Sequence, residues 1–213
     1  MKEKPNEWVA ISDLMAGVVA VVMLLLVMAV LKNAAAEMAH REQAEKGSIA
    51  QRKKIATMLG QLQADMASQG ASQLVRFDID NGKMTWSDSV FARSSACITP
   101  QARELFGKTE AVIADFLANN QGAQVFVEGH TDNLAVSKPV TDIERYCTVY
   151  DDNYTLSAAR AREARRLLVG RLSAGSAKNV VVAGYGDSHP LDAVDPGNPR
   201  NRRVEVRLVP AEP

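Results

Sequence analysis

Cysteine, histidine and aromatic residues are scarce in this chain of 213 residues, at 2 Cys, 3 His and 5% Phe, Trp and Tyr. So few cysteines exclude a disulfide-dense mini-protein. His130 has no second His or Cys at ligand spacing, so no metal is implied and a structural hydrogen-bonding role is expected for that ring. Glycine (13) and proline (8) are dispersed, which excludes collagen-like repeats. A charged fraction of 23% beside 46% hydrophobic residues excludes wholesale disorder. Net charge is absent as well, because 25 Lys+Arg balance 25 Asp+Glu, and this argues against nucleic acid as a partner. Gly184-Tyr185-Gly186 lacks the glycine spacing and the lysine of a phosphate loop. With no nucleophile-base constellation either, the chain is not expected to be an enzyme or to need a cofactor.

One scarcity is local. Residues 9–31 contain no Lys or Arg, and only Ser12 and Asp13 among them are strongly polar. At about 1.5 Å per residue such a helix reaches roughly 35 Å, enough to cross a bilayer. Trp8 stands where an interfacial anchor would sit, and Lys32 where a stem would snorkel on the other side. A cleaved signal peptide is the alternative, since Lys2 and Lys4 precede the run and Ala34, Ala35 and Ala36 follow it. Its apolar core is normally about 7 to 15 residues and carries no acid, so a retained anchor is expected. Lys2 and Lys4 on one flank against Lys32 and Arg41 on the other leave orientation to the large domain.

Asp13 is costly in such a place, about 2.5 to 3.5 kcal/mol on insertion scales near a helix centre. It should face protein or water. Either it escapes part of the cost at the interface, about one turn inside Trp8, or it carries protons or other cations as its surroundings alternate. One helix cannot line a channel, so the second reading calls for a separate multi-span membrane partner and a second copy of this chain.

Residues 33–72 are rich in Ala, Gln, Lys and Glu, as in a polar helix. Ile55, Leu59, Leu62 and Met66 form a short apolar seam that suits either packing on the chain's own domain or pairing with another helix. From Leu74 onward the pattern is mixed. Residues 74–80 and 83–86 read as a hairpin around Asn81-Gly82. Thr99 and Pro100 cap a helix with apolar positions Leu105, Val112, Ile113, Phe116 and Leu117. Residues 123–128 read as a strand, 156–172 as a helix, and 179–185 and 203–209 as strands, giving the order βαβαβ after the hairpin. The expected fold class is α+β, a two-layer α/β domain with a mixed sheet and helices packed on one face.

Three motifs carry a family resemblance. They are Val127-Glu128-Gly129-His130-Thr131-Asp132, then Asn153-Tyr154-Thr155-Leu156-Ser157-Ala158-Ala159-Arg160-Ala161, then Asn201-Arg202-Arg203-Val204-Glu205-Val206. Over about residues 75–209 the chain resembles an OmpA/MotB-type peptidoglycan-binding domain. Trp8-Val9-Ala10-Ile11-Ser12-Asp13-Leu14-Met15 is similar to the signature of ion-driven stator B subunits, in which the aspartate carries the ion. The short tail, the Ser-Asp-Leu-Met run and the short link resemble the ZorB-like subunits of Zorya anti-phage systems more than flagellar MotB.

The resemblance implies a short cytoplasmic tail at 1–8, a transmembrane helix at 9–31, a helical linker at 32–72 and a periplasmic peptidoglycan-binding domain at 73–210. The protein would sit in the bacterial inner membrane with its N-terminus cytoplasmic. Its partners would be a ZorA/MotA-like membrane protein, in a five-to-two complex with a homodimer of this chain, and the peptidoglycan stem peptide. Asp13 would relay H+ or Na+. A static envelope tether is the rival reading. Diaminopimelate in the stem carries carboxylates and an ammonium, so Asp132 would receive the ammonium and Arg160 a carboxylate. Asn153 and Leu156 would lie on the same approach, and Arg202 and Arg203 would either touch ligand or pair with acids of the domain. The segment 133–152 is longer than the family pattern and acidic, with Asp142, Glu144, Asp151 and Asp152 against Lys138 and Arg145. Cys147 within it and Cys97 would form a disulfide in an oxidising periplasm, or remain two thiols.

Overall fold

The computed structural model describes residues 7–211. Most of the expected 1–8 tail lies outside that range. Contacts divide the chain into two units, residues 1–49 and 50–213, and each is described by itself.

Helix α1, Glu7–Ser68, begins in the first unit. No proline interrupts it, and it runs through Gly47 and Ser48. Along 11–31 every side chain is exposed, including Leu24, Leu25 and Leu26. By length and composition it is able to cross a membrane. Gly70, at φ 72°, then turns the chain in a left-handed conformation that suits glycine.

In the second unit the last turns of α1 bury Ile55, Leu59, Leu62 and Met66 in the domain core. The apolar seam is therefore used within the chain. The hairpin follows, with β1 at Val75–Asp78 and β2 at Lys83–Ser87. Strand β1 ends two residues earlier than expected, because the Asp78 carboxylate accepts from the Asn81 backbone and side-chain amides and closes a turn. Gly82 supplies the positive φ there, at 63°.

Helix α2, Pro100–Asn119, starts at the expected cap, with the Thr99 side chain accepting from the Ala102 amide. Strand β3, Gln124–His130, leads into the long segment, which contains only a one-turn helix α3 at Ile143–Tyr146. Helix α4, Asn153–Leu168, begins three residues earlier than expected because Asp152 caps the Thr155 amide at 2.6 Å. A short α5 at Ala174–Ala177 precedes β4 at Val180–Gly184, and β5 spans Arg203–Val209. Only a loop and a 3-10 turn, Pro199–Asn201, separate β4 from β5, so apart from the short α3 and α5 the order after the hairpin is αβαββ and not βαβαβ.

The sheet order is β1-β2-β5-β3-β4, with β3 and β4 parallel and the other pairs antiparallel. It is the mixed sheet expected of an α+β domain. Met84 and Trp86, Val125 and Val127, and Val204, Val206 and Leu208 alternate onto the helical face. Trp86 stacks on Phe106 of α2 at 4.1 Å between ring centroids. The opposite face carries Glu128, His130, Arg203, Glu205 and Arg207.

Two glycines place α4. A methyl group at Gly129 would overlap the Ser157 carbonyl, and one at Gly184 would lie 2.6 Å from the Ala158 Cβ. The run Ser157-Ala158-Ala159 and these glycines let the helix backbone lie directly on β3 and β4. That contact sets where Leu156 and Arg160 point.

Candidate functional site

Beyond the C-terminal end of β3 lies a cavity of about 440 Å³, lined on one side by Asp132, Leu156, Arg160 and Arg202 and on the other by the 133–152 segment. The Thr131 amide donates to the Gly186 carbonyl at 2.8 Å, holding the His-Thr-Asp loop against the end of β4. Asp132 is 5% exposed, and one carboxylate oxygen accepts from Arg202 Nη1 at 2.6 Å. Arg202 Nε donates to Asp88 at 3.0 Å, and the other Asp88 oxygen lies 2.9 Å from Arg160 Nη1. The result is a continuous row of alternating charge: Asp132, Arg202, Asp88, Arg160.

Arg160 is only 3% exposed. Its Nε donates to the Ser95 carbonyl at 3.0 Å, and its guanidinium lies 5.1 Å over the Phe91 ring. Burial pulls its pKa below the ordinary value, while Asp88 opposes that shift. For Arg202 burial also acts downward, but hydrogen bonds to Asp132 and Asp88 outweigh it and raise the value. Arg160 stands two turns into α4, one turn further than the expected helix start implied.

The residues expected to form the site do not all meet. Asp132, Asn153, Leu156, Arg160 and Arg202 line the cavity. The Asn153 amide nitrogen is engaged by the loop, donating to the carbonyls of Asp132 at 3.2 Å and Leu134 at 3.1 Å. Arg203 does not line this cavity. The pleat of β5 sends it to the opposite face, where Nε donates to Glu205 at 2.7 Å and the other nitrogens donate to the carbonyls of Asn201 and His189. His130 departs from its expected hydrogen-bonding role: neither ring nitrogen has a partner among the described residues, and the ring stacks on Tyr185 at 5.3 Å. Burial, helped by Arg203, lowers its pKa to about 4. Asp13 is exposed on α1 in the first unit.

Sequence reasoning missed Asp88. It follows β2 without a motif, and its link to Arg202 spans 114 positions. It also missed Tyr150, whose hydroxyl donates to the Ser94 carbonyl at 2.7 Å and closes the cavity wall.

The 133–152 segment is tied down at several points. Cys97 and Cys147 are joined by a disulfide. The Tyr146 carbonyl accepts from the Ala96 amide at 3.0 Å and from Ser95 Oγ at 2.9 Å, and Val140 pairs with Tyr150 as an antiparallel bridge.

The OmpA family matches residues 90–203. The chain belongs to the OmpA family, and Asp132, Arg160 and Arg202 of the charge row fall within the matched span, with Asp88 two residues before it. Among known proteins it is 30% identical over 156 residues to a protein of Escherichia coli O44:H18 (strain 042 / EAEC) with the provisional name flagellar export/assembly protein LafU, covering 72% of this chain and 43% of that one. It is 29% identical to the truncated LafU of Escherichia coli (strain K12), covering 72% of this chain and 62% of that protein. The chain thus spans about half the length of these curated relatives. A crystal structure of a protein provisionally described as MotB-like, from Desulfovibrio vulgaris, superposes with a TM-score of 0.57 at 19% identity, covering 75% of this chain and 96% of that one. That likeness is one of fold.

Proposed function

We propose that this protein is a membrane-anchored stator-type subunit: residues 9–31 span the inner membrane, Asp13 relays ions beside a multi-span partner, and the OmpA-like domain grips the peptidoglycan stem peptide. The reading rests above all on one observation. A row of both charge signs, buried at Asp132 and Arg160 and half-buried at Asp88 and Arg202, lines a cavity of about 440 Å³, as a ligand bearing an ammonium and carboxylates requires. Each charged group of the row has an ionic partner in the protein. Binding would exchange Arg202 for the ligand ammonium on Asp132, and a ligand carboxylate would join Arg160. Anchorage makes ion flow productive, because protonation-dependent changes at Asp13 then move the partner against a fixed frame. At the finer level we place it with the ZorB-like subunits of Zorya anti-phage systems, in a five-to-two complex with a ZorA-like partner and with the C-terminal domain in the periplasm.

The test is a pair of substitutions in the full chain with its partner. Asp13→Asn should abolish ion conduction by reconstituted complexes and leave sacculus binding intact. Asp132→Ala or Arg160→Ala should abolish sacculus binding. Conduction unchanged by Asp13→Asn would leave a static tether as the better account. The provisional name of the curated relatives favours a flagellar role as the second reading. Deletion of the gene separates the two: loss of phage protection with normal swimming supports defence, and the reverse supports motility.

A further inference from the structure

The charges around the cavity do not cancel. Asp88 and Asp132 face Arg160 and Arg202 as two opposed pairs, and Arg93 and Lys138 line the same cavity in addition. Among the described residues, neither Arg93 nor Lys138 forms an ion pair, so the lining carries two cations in surplus. Both side chains are exposed, on surface loops whose backbone is tied down. Lys138 lies in the 133–152 segment, two residues before the Val140 to Tyr150 bridge and on the segment that the Cys97 to Cys147 disulfide ties down. Arg93 precedes Ser94 and Ser95, whose carbonyls accept from Tyr150 and Arg160. The two cations are therefore held on cross-tied walls facing one space.

A stem peptide carries charge beyond its diaminopimelate. The free amino and carboxyl groups at the far end of that residue form one ammonium-carboxylate pair, which the Asp132 and Arg160 pairs suit. The D-glutamyl α-carboxyl and the D-alanyl terminus add two more carboxylates, matching the surplus of two cations. Building on the peptidoglycan-binding reading above, we propose that Arg93 and Lys138 form an additional anionic subsite that selects stem peptides with free carboxylates over amidated ones. Because both side chains are exposed, the selection is electrostatic and weakens with salt.

The experiment is calorimetric titration of the full chain in detergent micelles with two probes. One is N-acetylated L-alanyl-γ-D-glutamyl-meso-diaminopimelyl-D-alanine, and the other is the same peptide with the glutamyl and alanyl carboxyls converted to amides. The free acid should bind about tenfold more tightly at low salt, with the difference shrinking as salt rises. The double variant Arg93→Ala/Lys138→Ala should bind both peptides equally, and the charge-keeping Arg93→Lys/Lys138→Arg should restore the preference. Equal affinity of the unaltered protein for both peptides, or a preference surviving in the alanine variant, overturns the proposal. Binding of neither peptide overturns the stem-peptide reading beneath it.

Discussion

Asp88 is the hinge of the charge row, because a single carboxylate contacts the guanidinium of Arg160 on one side and that of Arg202 on the other. Asp88→Asn leaves a nearly buried Arg160 without its counter-charge. Breaking a fully buried pair costs about 3 to 5 kcal/mol, but the Asp88 side chain is one-third exposed, so a loss of about 1 to 2 kcal/mol in urea unfolding is expected. His130 makes a separate prediction. Its folded pKa of about 4 lies below the ordinary 6.5, so the unfolded chain takes up the proton first. The stability contribution is complete above pH 6.5 and is lost as pH falls towards 4, by up to roughly 3 kcal/mol. His130→Phe keeps an aromatic ring against Tyr185 and should flatten that limb of the pH-stability curve. Glu205 shifts downward: burial pushes its pKa up, but Arg203 and Lys83 outweigh that, so its contribution is complete above the ordinary glutamate value and is lost as pH falls below it.

At the level of elements, α4 and the 133–152 segment build the cavity, and each is held by contacts that can be removed. Gly184→Ala places a methyl group 2.6 Å from Ala158 Cβ, which forces α4 off the sheet and moves Arg160 with it. A fall in melting temperature together with weaker stem-peptide binding is expected, whereas Gly175→Ala, which meets only a serine hydroxyl at 3.9 Å, should bind normally. Removing the disulfide by Cys97→Ser/Cys147→Ser should cost about 2 to 4 kcal/mol, measured by denaturant unfolding. Two titratable thiols in the oxidised, purified protein would contradict the pairing. The end of α1 makes a third case: Leu59 is fully buried, so Leu59→Ala should lose about 2 to 5 kcal/mol. A helix serving only as a linker would show almost none.

Across the whole molecule, two chemically different ends share one chain. The apolar run with Asp13 belongs to the unit of residues 1–49, and the charge row belongs to the OmpA-like unit. Under the stator reading each end should fail independently, conduction through Asp13 and wall attachment through Asp132 and Arg160. The apolar run, the Thr99 cap, the strand alternation and the three motifs were legible in the sequence because each lies in contiguous residues governed by a short period or a local hydrogen bond. The apolar seam at Ile55, Leu59, Leu62 and Met66 was legible too, but its partner was not, since one spacing serves a domain core and a second helix equally well. The role of Asp88, the diversion of Arg203 to the far face and the two surplus cations became visible only in the folded domain. Those depend on which charges lie within about 3 Å of one another, a property of strand pleat and of chain segments brought together across more than a hundred positions.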